Sequence, residues 1–229
     1  MEPNNAISRV AARRFLALLG VTALVLAAFF SYWMAGLAKR QPVPTEGGIF
    51  FPWRLVIEGP HYSQGDPRWA EDLLGPTTES MEQSGCAVAS AAMALGALGV
   101  STDPGALNSF LQNTPGGYTP EGWIYWEKAA EVDPVRATEL LPHYEDLPSF
   151  FLMDWNLLRG NPVIARVRYP NGITHFVLVC GKDGFEYLVR DPGAGGENGL
   201  RPLSDFPGPV EGLRFYRKPP RLDEAMGGG

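Results

Sequence analysis

Cysteine and histidine are scarce in this chain: two and three respectively among 229 residues. There is no C-x-x-C pair, so zinc-ribbon and thioredoxin-type chemistry have no foothold. The acidic residues, Glu79 and Glu82 among them, show no spacing that argues for a metal site, and no cofactor is called for. Internal repeats and low-complexity blocks are missing as well. Five of the 19 basic residues and one of the 25 acidic residues fall in the first forty positions, leaving 14 and 24 and a net charge of −10 beyond them. An acidic body without a basic cluster argues against nucleic acid as a partner and against adhesion to anionic lipid through the body itself. With 45% hydrophobic residues, the chain is long enough for one substantial core.

What is abundant sits at the N-terminus. Residues 15–38 contain no charged side chain. As a helix they span about 36 Å, enough for a hydrocarbon layer of about 30 Å. Arg9, Arg13 and Arg14 precede the segment and favour an N-terminus left in the cytoplasm; Lys39 and Arg40 follow it. Gly36-Leu37-Ala38 resembles a small-residue cleavage site, but the apolar stretch exceeds a signal-peptide core of roughly 7–15 residues. The expectation is a membrane anchor at 15–38 behind a cytoplasmic segment 1–14, with a cleaved signal peptide as the alternative. Either way the remaining chain lies outside the cytoplasm. Residues 39–59, rich in Pro and Gly, read as a linker that enters a first strand at 53–57; 60–218 form the domain and 219–229 a loose tail.

Within the body, residues 86–98 are small and apolar on nearly every side, which predicts a central buried helix, with Ser84 or Gly85 serving its N-terminus. Further helices are predicted at 104–112, capped by Asp103; at 120–132, capped by Thr119 and carrying Trp123 and Trp126 one turn apart; and at 147–159, stopped by Gly160-Asn161-Pro162. Strands follow at 163–169, 174–181, 185–190 and 213–216, separated by turn sequences such as Lys182-Asp183-Gly184. Helices first and an antiparallel meander second define an α+β class.

Chemistry concentrates in three places. Cys86 opens a helix, where unpaired N–H groups favour an anion. His175 begins a strand and Asp191 ends the next. A three-residue turn closed by Gly184 would pair Gly181 with Phe185 and set His175 opposite Asp191, on one face and in contact. Alternation places Phe176, Leu178 and Cys180 on the other face, so a thiol facing His175 is turned away from Cys180; a Cys86–Cys180 disulfide is the competing reading. An imidazole that takes the thiol proton, with a carboxylate fixing its tautomer, makes a nucleophile. Gln64, in the compact segment before the helix, is the amide best placed to stabilise an oxyanion; Gln83 and Asn113 are alternatives. His61 and His143 read as surface residues. Trp53, Trp69, Trp123 and Trp126 read as core or rim packing.

Five motifs occur in order: Tyr62-Ser63-Gln64-Gly65-Asp66-Pro67-Arg68-Trp69, Ser84-Gly85-Cys86-Ala87-Val88, Asn161-Pro162-Val163-Ile164-Ala165-Arg166, Thr174-His175-Phe176-Val177-Leu178-Val179 and Asp191-Pro192-Gly193. Together, across residues 60–216, they resemble the bacteriocin-processing, double-glycine cysteine peptidases, in their peptidase-like branch. The resemblance implies a papain-like fold, its central buried helix packed on an antiparallel sheet. It also implies Cys86 as nucleophile, His175 as base, Asp191 as orienting acid and Gln64 as oxyanion donor, acting on a peptide or amide bond without a cofactor. The chain departs from the family in three respects. These 229 residues carry no transporter, so trimming of a cargo leader is not implied; the domain is expected outside the cytoplasm; and Ala87 stands where Gly is common, narrowing the approach of a substrate backbone. A catalytically silent binding module of the same fold, and a cell-wall amidase or acyltransferase, are the alternative functions.

Overall fold

The computed structural model describes residues 4–38, 42–133, 141–145, 148–193 and 199–217. The chain divides into two units, Met1–Lys39 and Arg40–Gly229. The described residues of the first form one helix, α1 (Asn4–Ala38). Its apolar window, Arg14–Trp33, is 20 residues long. At 1.5 Å per residue that is about 30 Å, the thickness of a bilayer core.

The second unit is a sheet covered on both faces. Its strands are β1 (Glu46–Val56), β2 (Leu141–Glu145), β3 (Val163–Arg168), β4 (Thr174–Arg190), β5 (Arg201–Pro202) and β6 (Val210–Arg217). They lie in the order β1-β4-β3-β6-β2, with β5 paired to β4, and every pairing is antiparallel. Strand alternation sorts the core. Ile164, Leu178, Cys180 and Tyr216 face one layer, built on α3 (Cys86–Ala97) with α4 (Pro104–Asn113) and α5 (Trp126–Ala129). Val163, Ala165, Val167, Val177, Val179, Leu213 and Phe215 face the other, where α6 (Phe150–Leu158) contributes Met153 and Leu157.

The central helix forms as expected, and its start has a steric cause. A short helix, α2 (Met81–Ser84), precedes it, closed by a capping box in which Ser80 and Gln83 exchange hydrogen bonds. Gly85 then breaks the run. A Cβ at Gly85 would stand 2.5 Å from the Met81 carbonyl oxygen. Only glycine allows the two helices to abut there, and the abutment makes Cys86 the first residue of α3. Val88 through Leu95 are all buried. Their small size lets the helix lie close to the sheet. Asp103 caps α4 as predicted, its carboxylate accepting from Ala106 N–H.

Several expectations need correction. The third helix is confined to Trp126–Ala129, continued by one 3₁₀ turn, Ala130–Val132. Residues 118–125 form a loop instead, closed by a bridge between Tyr118 and Ile124. Gly122 has φ +82°, which an α-helix does not accept, and Thr119 Oγ1 receives the Trp123 N–H inside that loop rather than capping a helix. The strand expected at 53–57 is the end of a longer one: β1 begins at Glu46, inside the linker expected at 39–59, and pairs along β4 with register shifts where Gly47, Gly48 and Pro52 disturb the alternation. Trp69 is core, but Trp53 and Trp123 are 65% and 71% exposed. β2, which carries His143, was not anticipated. The loose tail expected at 219–229 and the predicted helix start at Leu147 lie outside the described residues.

Candidate active site

His175 and Asp191 meet. His175 Nε2 and Asp191 Oδ1 are 2.7 Å apart, with 8% and 2% of the two residues exposed. An extended run of sixteen residues would separate them by roughly 50 Å. β4 therefore turns back on itself, and Gly184, at φ +60°, lies in the reversal. The expected contact is present, but the expected register does not extend to the tip. A Cβ placed on Gly181 would lie 3.4 Å from Leu188 Cβ, so Gly181 faces Leu188 rather than Phe185. The tip is constrained by β1, which pairs with both Gly181 and Gly184.

Strand alternation by itself does not keep the two cysteines apart. Cys180 does face away from His175, but its face is the one that carries α3. Both thiols are nevertheless free. What separates them is position along the sheet. Ser90, one turn into α3, already reaches the Phe176 carbonyl at 3.1 Å, so Cys86 lies at the His175 end of β4. Cys180 lies four residues further along the strand, fully buried.

The half-buried Cys86 thiol lies beside the His175 ring, close enough to strengthen its hold on a proton. Because Nε2 is engaged by Asp191, Nδ1 is the ring nitrogen left for the thiol. Burial alone would hold the imidazole below its ordinary pKa. The hydrogen bond that the ring donates to Asp191, the neighbouring Cys86 thiol and the charge each can carry outweigh burial and raise it to about 9. Burial opposes ionisation of Asp191 too, but its bonds to His175 and to the Gly193 N–H, with Arg201 nearby, hold the carboxylate below the usual aspartate range. Tyr169 and Phe206 flank the imidazole, each with its ring centroid 5.9 Å away. Cys180 is different: burial pushes its thiol up to about 11.

Gln64 is tied to the same neighbourhood from both sides. Its backbone N–H donates to the Pro192 carbonyl at 2.8 Å, and its Nε2 donates to the Glu82 carbonyl at 2.7 Å, on the helix just before Cys86. Its Oε1 is buried without a hydrogen-bond partner. The Glu82 carbonyl, which can only accept, fixes which end of the amide faces it. Gln83 is spent on the Ser80 capping box, and Asn113 on the Ser109 carbonyl.

Sequence reasoning missed four contributors. His61 is not simply a surface residue, because its Nε2 donates to the Asp191 carbonyl at 3.1 Å. Arg201, Phe206 and Tyr169 reach the pair across loops, and no local pattern marks them. Among the described residues no cluster of His, Cys, Asp and Glu has the makings of a metal site.

A helix opening on a cysteine, laid on an antiparallel sheet that presents histidine and aspartate at the same end, is the papain-like arrangement. Residues 56–206, about two thirds of the chain, match the Peptidase_C39 like family. The chain belongs to that family, a cysteine peptidase branch of the papain-like fold. A comparison with curated proteins returns no match.

Proposed function

We propose that this protein is an extracytoplasmic thiol hydrolase of peptide or amide bonds, with α1 as its membrane anchor and the domain of residues 60–218 on the outer side. The alternative for α1 is a signal sequence, which would release the domain. The observation that carries the reading is the His175 ring, held by Asp191 through Nε2 beside the Cys86 thiol at the start of α3.

In this reading Cys86 Sγ attacks the carbonyl carbon of the substrate while its proton passes to His175 Nδ1. The tetrahedral oxyanion takes hydrogen bonds from the first N–H groups of α3, which a helix leaves unpaired, and from the second Nε2 hydrogen of Gln64. His175 returns the proton to the leaving amine as the carbon–nitrogen bond breaks, leaving a thioester. Water then attacks the thioester, His175 takes the proton from that water, and the acid leaves as the thiol is restored. Asp191 keeps the imidazole in the tautomer and orientation that both halves require.

Two measurements test this. Iodoacetamide should label Cys86 rapidly at neutral pH while Cys180 stays unlabelled in the folded chain. Sluggish labelling of Cys86 would count against an activated thiol and favour a silent binding module. Mass analysis of products from peptides and from wall fragments, with Cys86→Ala as control, then identifies the bond cleaved. Hydrolysis retained in Cys86→Ala would remove the nucleophile assignment.

A further inference from the structure

One cation at the candidate site has no part in the thiol chemistry. Arg201 donates from Nη1 to Asp191 Oδ2 at 3.0 Å and from Nε to Asp205 Oδ2 at 3.3 Å. Its guanidinium carbon stands 4.8 Å from the centroid of Phe206. Phe206 in turn stacks on His175, with an interplanar angle of 29°. His175 closes the circuit on Asp191 Oδ1. Arginine, carboxylate, imidazole and phenyl ring thus form one closed loop, each touching the next.

The loop is anchored at its base. β5 pairs Arg201 with Val189, two residues before Asp191, and Leu203 and Phe206 are buried. Asp191 explains why such an arrangement is useful. A buried carboxylate held only through Oδ1, by His175 and the Gly193 N–H, is free to pivot about that oxygen. A guanidinium on Oδ2 removes that freedom and supplies the charge that a buried anion needs. The Arg201 side chain, 35% exposed, stands on the solvent side of the carboxylate, whose own side chain is 3% exposed.

We propose that Arg201 is a positioning residue: by gripping Asp191 Oδ2 and the Phe206 ring together, it sets the plane of His175 against Cys86. This inference rests on the Cys86–His175 reading above and adds a residue to it.

Charge and positioning act in opposite directions, which makes the proposal testable. As a bare positive charge, Arg201 disfavours a second cation on His175, so its removal would let the ring hold its proton to higher pH. As a positioning residue, it keeps Asp191 on Nε2, so its removal would loosen the bond that stabilises the imidazolium and the ring would lose its proton at lower pH.

The experiment measures the second-order rate of iodoacetamide labelling of Cys86 in the full chain, on both sides of the pH near 9 where His175 titrates. Arg201→Gln is expected to slow labelling at neutral pH about tenfold and to move the alkaline limb downward. Arg201→Lys, which keeps the charge but not the fork, should fall between the two and covers the case in which Arg201→Gln does not fold. An unchanged rate, or a limb that moves upward, in whichever variant folds overturns the proposal. If the unsubstituted chain itself labels no faster than a free thiol, the Cys86–His175 reading has failed, and this one falls with it.

Discussion

Asp154 is an acid on the face of the sheet opposite α3. Its Oδ1 accepts from Lys182 Nζ at 2.5 Å and from the Tyr187 hydroxyl at 2.8 Å; Oδ2 accepts from Ile49 N–H at 2.8 Å. The Lys182 and Asp154 side chains are 0% and 1% exposed. Lys182 also donates to the Gly47 carbonyl at 2.7 Å and lies over the Tyr187 ring at 4.1 Å. This pair therefore fastens β1 to α6 and β4. Substituting Asp154→Ala strands the ammonium with one carbonyl, and breaking a buried pair in this way costs about 3–5 kcal/mol. The lysine has one escape, which is to fold without its proton. At about pH 7 that route costs the gap from an ordinary lysine pKa of about 10.4, at about 1.4 kcal/mol per unit, or close to 5 kcal/mol. The two figures agree, so the loss should sit near their common upper end.

The escape route makes the cost depend on pH. Burial already lowers the Lys182 pKa against the pull of Asp154. Without Asp154, the folded chain holds a neutral lysine while the unfolded chain holds a charged one. Raising the pH by two units should then recover about 2–3 kcal/mol of the difference between variant and parent. The assay is urea unfolding of the full chain in detergent, followed by near-ultraviolet circular dichroism. Adding Lys182→Met to Asp154→Leu removes both charges, and the pair should lose less stability than Asp154→Ala alone. A loss below about 1 kcal/mol, or one that does not change with pH, would refute the account of the buried pair.

Other expectations are more local. His175 has its pKa raised from 6.5 to about 9, so the stability it adds is fully present below about pH 6.5 and is lost as the pH rises through about 9. Urea midpoints at the two ends of that window should differ in the parent and converge in His175→Ala. Asp191, whose pKa is lowered, adds stability above the ordinary aspartate range that is lost as the pH falls through its depressed value; Asp191→Asn should flatten the acid limb of the same titration. Gly85→Ala should cost about 1–3 kcal/mol in urea, because its Cβ meets the Met81 carbonyl, and should slow Cys86 labelling by displacing the start of α3. Ser80→Ala removes one half of the capping box and should cost about 1 kcal/mol without changing that labelling rate.

Much of the site could be read from the chain because its signals are local. An apolar run of small residues after Gly85 can only be a buried helix, so Cys86 at its first position followed directly. His175 and Asp191 lie on the two arms of a hairpin, and a turn near Gly184 was enough to bring them together even though the exact register was misjudged. Asp103 before Pro104 marks a helix start by chemistry that acts within one turn.

The first half of β1 and residues 118–125 depart from expectation for one reason: their glycines and prolines signal breaks, and only neighbouring strands or loops decide what a broken segment becomes. Gly47, Gly48 and Pro52 suggested a tether, yet β4, Asp154 and Lys182 supply partners that make a strand of it. The grip of Arg201 on Asp191, the stacking of Phe206 on His175 and the hydrogen bond of His61 all cross between segments with no periodic relation. By itself the sequence determined the class, the apolar N-terminal helix and the meeting of His175 with Asp191, because spacing within single elements carries that information. Tertiary structure alone decided how the carboxylate is held, how far along the sheet Cys180 lies from Cys86 and where the buried Lys182–Asp154 pair lies, because each depends on which surfaces pack together.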